Sequence, residues 1–204
     1  MIVIVDYGMC NLRSILHIFK KIDVNVMISS DFGDIQRAEK LVLPGVGYFA
    51  TGIKNLEELN LISALNKKVI QEKTPILGIC LGMQLLTKRS EEGNADGLGW
   101  IDAETKLFKF ENNEQLKIPH MGWNSLVIKR DSPLFKDIPG DSSFYFVHSY
   151  HVCCNDAENI LATAKYGYEF TAVLQKENIF GTQFHPERSH KNGVKLIKNF
   201  VEYI

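Results

Sequence analysis

Apolar positions in the first part of the chain alternate between short β-branched runs and helical periodicities. Ile2 to Val5 is an unbroken apolar run ending at Asp6-Tyr7-Gly8, which predicts a buried strand and its turn. Leu12, Ile15, Leu16, Phe19 and Ile22 then recur at helical spacing with charged residues between them. Val24 to Ile28 reads as a second strand, and Lys40 to Leu43 as a third, stopped by Pro44-Gly45-Val46-Gly47. Helical patterning returns around Ile53 to Leu59 and Leu61 to Ile70. Ile76 to Ile79 reads as a fourth strand that runs into Cys80 and a helix through Leu85. This alternation predicts an α/β fold with a mostly parallel sheet and helices on both faces.

The pattern changes after about Gly97. Short apolar runs dominate: Ser125 to Ile128, Ser143 to Val147, Ile160 to Lys165, Thr171 to Leu174 and Ile179 to Phe184. Turn residues separate them, among them Asp131-Ser132-Pro133 and Ile138-Pro139-Gly140, so this part predicts antiparallel β structure added to the first half. A last helix over about Val194 to Val201 puts Val194, Ile197 and Val201 on one face. With no internal repeat, low-complexity tract or flexible linker, residues 1–204 read as one domain.

A chain of 204 residues, 45% hydrophobic and 23% charged, is ordinary for one well-cored globular unit. A formal net charge of −1 gives no field that would draw it to nucleic acid or a membrane surface. The N-terminus lacks the basic flank and long apolar run of a signal peptide, and no stretch reaches membrane-spanning length, so the cytoplasm is the expected compartment. Cys10, Cys80, Cys153 and Cys154 form no CxxC pair. Neither a zinc site nor a disulfide framework is expected, and one thiol is free to be a nucleophile.

Gly78-Ile79-Cys80-Leu81-Gly82 is the segment with most chemistry in it. A strand delivers a cysteine into a tight turn and a helix leaves, with glycine two residues away on each side. This is the pattern of a nucleophile elbow with cysteine in place of serine. Backbone N–H groups at the helix start favour a thiolate and offer an oxyanion donor at Leu81. Gln183-Phe184-His185-Pro186-Glu187 supplies a histidine suited to moving the proton and a glutamate close enough to orient it. Leu43-Pro44-Gly45-Val46-Gly47 can present backbone N–H groups to a ligand, yet matches no nucleotide-binding fingerprint. Each segment alone also fits a structural role: a buried cysteine in a strand-to-helix turn, a surface His-Pro-Glu turn, and a plain turn at a sheet edge.

Taken together, the three segments resemble the class I, triad-type glutamine amidotransferases. Within that family the resemblance runs nearly end to end to the branch that hands ammonia to a (β/α)8-barrel cyclase in histidine biosynthesis. It is carried by Asp6-Tyr7-Gly8-Met9-Cys10-Asn11-Leu12-Arg13-Ser14, by the Pro44–Gly47 loop, by Gly78 to Leu86, by Ser90-Glu91-Glu92-Gly93, by Gly97-Leu98-Gly99, by Ile118 to Asn124, by Phe146 to Tyr150 and by Phe184 to Glu187. The resemblance implies a three-layer, flavodoxin-like fold, glutamine as substrate and no cofactor. Cys80, His185 and Glu187 would form the triad. Gly45, Val46, Gly47 and Leu81 would hold the oxyanion. Gln84 and Glu92 match positions that hold the substrate's amino-acid end, and His148, Ser149 and Tyr150 a segment that meets its carboxylate largely through backbone. Trp123 and Asn124 match the face that docks the cyclase in a heterodimer. For Trp123 a place in the core is the alternative.

Three departures bear on the partner. Cys10 stands where the family usually has glycine, His151 follows Tyr150, and Glu187 is followed by Arg188-Ser189-His190 instead of Lys-Ser-Gln. The usual lysine lies at the gateway to the partner, and Arg188 keeps its charge but not its point-charge geometry. Three readings follow: a glutaminase of the histidine pathway, the same glutaminase serving sugar amidation in surface-polysaccharide synthesis, or a non-catalytic regulatory subunit. The complete triad argues against the last.

Overall fold

The structure, a computed structural model, describes residues 1–111 and 116–204. Four strands alternate with helices in the first part: β1 (Ile2–Val5), β2 (Val26–Ser29), β3 (Lys40–Gly45) and β4 (Ile76–Cys80). Between them come α1 (Leu12–Lys21), α2 (Phe32–Arg37), α3 (Phe49–Glu58) and α4 (Leu61–Leu65), the last continued by a π-helical turn over Asn66–Gln71. A short α5 (Leu81–Leu85) leaves Cys80 directly. The rest is largely β: β5 (Thr87–Ser90), β6 (Ala95–Asp96), β7 (Ile101–Leu107), β8 (His120–Ser125), β9 (Val127–Ile128), β10 (Ser143–His148), β11 (Tyr150–Cys154), β12 (Ile160–Tyr166), β13 (Tyr168–Lys176) and β14 (Ile179–Thr182). The chain closes with α6 (His190–Tyr203).

One sheet passes through both halves in the order β2-β1-β3-β4-β14-β13-β11-β7-β5-β6. From β2 to β14 all pairs are parallel; β13 turns the sheet antiparallel. β8 and β10 form a separate antiparallel ribbon. Because side chains alternate along a strand, Ile2 and Ile4 of β1 point into one apolar layer while Val3 and Val5 point into the other. The first layer packs against Phe19 of α1 and Phe200 of α6, the second against Leu56, Leu61 and Leu65 of α3 and α4. That is the expected three-layer α/β arrangement. Each of these fully buried side chains contributes about 1.5–3 kcal/mol.

Some element boundaries differ from the sequence reading. β3 does not stop before Pro44; it runs through it to Gly45. The pairing of β3 with β1 ends at Val42, so the missing N–H of Pro44 removes no ladder bond on that side. β structure begins at Thr87, ahead of Gly97. Ser125 closes β8, and Val127–Ile128 is a separate strand. Among the described residues no helix is long and apolar enough to cross a membrane.

Candidate active site

β4 ends at Cys80 with β3 and β14 on either side of it. The register pairs Gly45 with Cys80, and Thr182 with Ile79. The Val46–Gly47 loop and the Gln183–Glu187 segment therefore emerge beside the cysteine, at the carboxyl ends of the parallel strands, where open α/β sheets bind their ligands.

The turn is strained at the cysteine itself. Cys80 has φ +53, a left-handed backbone that side chains other than glycine adopt at about 1–3 kcal/mol. The flanking glycines serve a different end, which is close approach. A Cβ on Gly82 would lie 1.7 Å from the Leu43 carbonyl oxygen, and one on Gly78 would lie 2.8 Å from the Gly82 backbone. Without them α5 could not sit against β3 and β4. Since α5 spans only Leu81–Leu85, its contribution at the sulfur is that of first-turn N–H groups rather than a long helix dipole.

His185 and Glu187 stand on a single 3-10 turn, Pro186–Arg188, pinned to β10. The His185 N–H donates to the Tyr145 carbonyl at 2.9 Å. Ser189 Oγ donates to the His185 carbonyl at 2.6 Å and accepts from the Tyr145 N–H at 3.0 Å. His185 Nδ1 meets Glu187 Oε1 at 2.7 Å, while Nε2 has no hydrogen-bond partner. Burial by itself would push the imidazole down, but the neighbouring Cys80 sulfur and the Glu187 carboxylate together outweigh it and raise His185 to about 10. The other thiols are held protonated: burial raises Cys10 to about 12, with Asp6 and Glu187 adding to it, and Cys154 to about 11.

These groups open onto a cavity of about 330 Å³, room for a small amino-acid-sized molecule. Its lining includes Val46, Gly47, Cys80, Leu81, Gln84, Glu92, His148, Ser149, Tyr150 and His185, with Pro119 and Val147, which the sequence placed in motif segments but not in the site. Gly45 and Glu187 lie just behind the lining. A Cβ on Gly45 would come within 2.2 Å of the buried Tyr7 hydroxyl, which has no hydrogen-bond partner. A larger groove of about 700 Å³ near Tyr203 holds neither cysteine nor histidine.

Three details refine the expected roles. The Val46 N–H donates to the Met9 carbonyl at 2.6 Å, so it does not face the sulfur in this state. Gln84 spends both amide hydrogens on the Tyr150 carbonyl at 2.9 Å and Gln183 Oε1 at 3.0 Å, leaving only its oxygen for a ligand. Glu92 accepts from the Phe49 N–H at 2.8 Å; burial nonetheless raises its carboxyl above the ordinary range.

Behind His148 is a cage of neutral histidines and aromatic rings that the sequence did not reveal. His148 Nδ1 donates to the Tyr150 carbonyl at 2.7 Å, and its Nε2 lies 3.0 Å from His120 Nδ1. Burial pushes His148 down to about 3 despite the carbonyl, and His120 and His151 each to about 4. Phe108 packs against all three rings.

Trp123 is 48% exposed, which excludes a core role. It stacks on His190 at 5.1 Å, and the Arg188 guanidinium lies over the Tyr145 ring at 4.6 Å. Asn124 donates to the Lys165 carbonyl at 2.8 Å. None of Trp123, Asn124 and Arg188 lines the cavity; Trp123, Arg188 and exposed Met121 form a surface beside it, whereas Asn124 alternates to the opposite face of β8, next to His120 at 3.4 Å.

A cysteine, an imidazole facing it and a carboxylate holding that imidazole are the parts of nucleophilic thiol catalysis. Comparison with known proteins bears on the substrate. The family described as "Glutamine amidotransferase class-I" matches residues 3–203. Methanococcus maripaludis carries two similar proteins. Its "Imidazole glycerol phosphate synthase subunit HisH 2" is 54% identical over 202 residues, 99% of each chain. Its "subunit HisH 1" is 48% identical over 207 residues, 100% of each. A solved structure named "Crystal structure of glutamine amidotransferase" superposes with a TM-score of 0.71 at 18% identity, covering 98% of this chain and 97% of that one, which shows the shared fold.

Proposed function

The chain belongs to the class I glutamine amidotransferases, and on that premise we propose that it hydrolyses glutamine at Cys80 and passes the ammonia to a separate (β/α)8-barrel cyclase, as the glutaminase subunit of an imidazole glycerol phosphate synthase. The observation that carries this reading is one cavity lined by Cys80 and by His185 with its Glu187 partner at 2.7 Å. The Cys80 thiolate attacks the carboxamide carbon, and the carbonyl electrons move onto oxygen. The Leu81 N–H, which opens α5 and has no intrahelical acceptor, faces that oxyanion, joined by the Val46 N–H once its peptide turns. His185 gives its proton to the departing nitrogen, ammonia leaves, and a glutamyl thioester remains. Water then attacks the thioester while His185 takes its proton, releasing glutamate and restoring the thiolate and the imidazolium. Glu187 keeps the ring oriented and balances its charge. Glu92 and the Gln84 oxygen receive the substrate ammonium, and the His148–Tyr150 backbone its carboxylate. The surface bearing Met121, Trp123 and Arg188 takes the partner, with Asn124 bracing β8 from its other face.

A second reading keeps the glutaminase and changes the acceptor to a sugar-amidating enzyme. It is favoured by the departure at Arg188-Ser189-His190, because His190 stacks on the exposed Trp123 and so alters the docking surface itself. The same chemistry with two partners also suits an organism that keeps two such subunits. The test is glutamate release by the purified chain with a barrel cyclase and its phosphoribulosyl formimino acceptor, compared with a sugar-amidating partner. Stimulation by the first alone supports the histidine pathway, and by the second alone the alternative. No glutamate with either, from folded protein, refutes both.

A further inference from the structure

The mechanism above leaves Gln183, a buried polar side chain beside the sulfur, without a role. Gln183 is fully buried, and its amide nitrogen lies 3.7 Å from Cys80 Sγ. We infer that Gln183 is a positioning residue for the nucleophile: its side-chain amide donates to Cys80 Sγ, holds the sulfur in one rotamer and favours the thiolate. This rests on Cys80 being the nucleophile of the proposed glutaminase.

The orientation of the amide follows from its neighbours. A backbone carbonyl only accepts, so Gln84 must turn its NH2 group toward the Tyr150 carbonyl at 2.9 Å. That same nitrogen lies 3.0 Å from the Gln183 amide, whose facing atom must then be its oxygen. Gln183 is left with only its nitrogen to offer the sulfur. Its backbone is equally fixed, since its N–H donates to the Ala172 carbonyl at 2.8 Å. It follows Thr182, which pairs with Ile79, so the sheet register brings the amide alongside the cysteine. Polarity thus passes from one carbonyl through two amides to the sulfur.

A neutral donor suits this position. It stabilises negative charge on sulfur without carrying a proton that would compete with His185. The other titratable groups around the sulfur are His185 with Glu187 behind it, Tyr7 and Cys10 from the β1 side, and Glu92, His148 and Tyr150 across the cavity. Only His185 among them supplies positive charge, so Gln183 is the uncharged complement to it. Hydrogen bonds to charged groups imply a ~10- to 100-fold change in thiolate population, read as a rise of about 1 to 2 pH units when the donor is removed.

The experiment is the pH dependence of iodoacetamide alkylation at Cys80 in the full chain, followed by mass spectrometry of the Cys80 peptide, together with glutaminase kinetics in the presence of partner. Gln183→Met keeps the volume and removes the donor. Its alkylation midpoint should rise by about 1 to 2 units, with kcat falling and KM for glutamine unchanged. Gln183→Glu should raise the midpoint further, because a carboxylate repels the thiolate. An unmoved midpoint in folded Gln183→Met, whatever happens to kcat, overturns the proposal by reducing Gln183 to packing. Should that variant not fold, Gln84→Met frees Gln183 to turn its oxygen toward the sulfur. A raised midpoint there supports the proposal and an unmoved one overturns it. Glutaminase activity surviving in Cys80→Ala would instead sink the underlying reading, so the two failures are separable.

Discussion

On one side of the cavity Cys80 is locked between β3 and β14. Its φ is +53, and the neighbouring glycines are so closely packed that a Cβ on Gly82 would overlap the Leu43 carbonyl. On the other side Val46 is 46% exposed, Gly47 has φ +112, and the peptide between Gly45 and Val46 is tied to its surroundings by the Val46 N–H bond to Met9 at 2.6 Å. The sulfur and the imidazole beside it are held rigidly, while the Val46 N–H, the second oxyanion donor of the proposed mechanism, is turned away by an exchangeable contact. Glycine lets that peptide rotate at low cost. Under the proposed mechanism a chain whose product is lost if released early gains from this division, because the reacting groups would stay ready while one stabilising contact waits for the partner.

The largest effect should come from the rigid wall. Cys80→Ser is expected to leave no measurable glutamate release above background, with the thermal midpoint nearly unchanged, because the volume is kept and the nucleophile is not. Cys153→Ser and Cys154→Ser should retain turnover. If activity survives in Cys80→Ser and disappears in either of the others, the wrong thiol has been assigned to this wall.

Next in size is the movable wall. One oxyanion donor is worth about 2.7–4 kcal/mol, or ~100- to 1,000-fold in rate. The lone chain should therefore hydrolyse glutamine slowly, and partner plus acceptor should raise kcat by about that factor with a much smaller change in KM, since the contact acts in the transition state. Full turnover by the lone chain, with no further rise on adding partner and acceptor, would erase the contrast between the walls.

The smallest effect is on stability and comes from behind the loop side. His148 is pushed down to about 3 in the fold, against about 6.5 in an unfolded chain. The unfolded state then binds more protons, so the neutral cage contributes stability that is present above about pH 6.5 and lost as pH falls towards 3. Between pH 7 and pH 5, His148 alone accounts for about 2 kcal/mol, or roughly 4–8 °C in Tm for a chain of this size. His148→Gln should flatten the fall in Tm with acid by about that amount. An identical slope in the variant would mean that the cage takes up protons without unfolding.

Much of this was legible in the sequence. The alternation of Ile2–Val5, Lys40–Leu43 and Ile76–Ile79 with helical periodicities is enough to indicate the parallel block, since strands buried on both faces read as continuous apolar runs. The elbow and the His-Pro-Glu turn were legible because each is contiguous. What escaped was distributed. β7 carries Asp102, Glu104 and Lys106 between its buried positions, so its apolar signal is interrupted. The Gln84–Gln183 contact joins residues far apart in the chain, and the cage draws His120, His148 and His151 from three different strands. No local pattern reports such a meeting. Gln183 could have been suspected only from register, as the residue after a strand that lies beside β4.

β14 is the strand that joins the two halves of the sheet, pairing with β4 on one side and β13 on the other. Among the described residues it is also the last strand in chain order. At ordinary rates of translation Ile179 leaves the ribosome roughly 5–20 s after Cys80. Throughout that interval β4, buried along its whole length in the finished fold, has an open edge where its neighbour belongs. On the proposed mechanism the growing chain carries its thiol without its base and cannot yet consume glutamine. It also presents an apolar strand edge ready to pair wrongly, so the central position of β14 leaves the nascent chain dependent on protection until β14 itself has emerged.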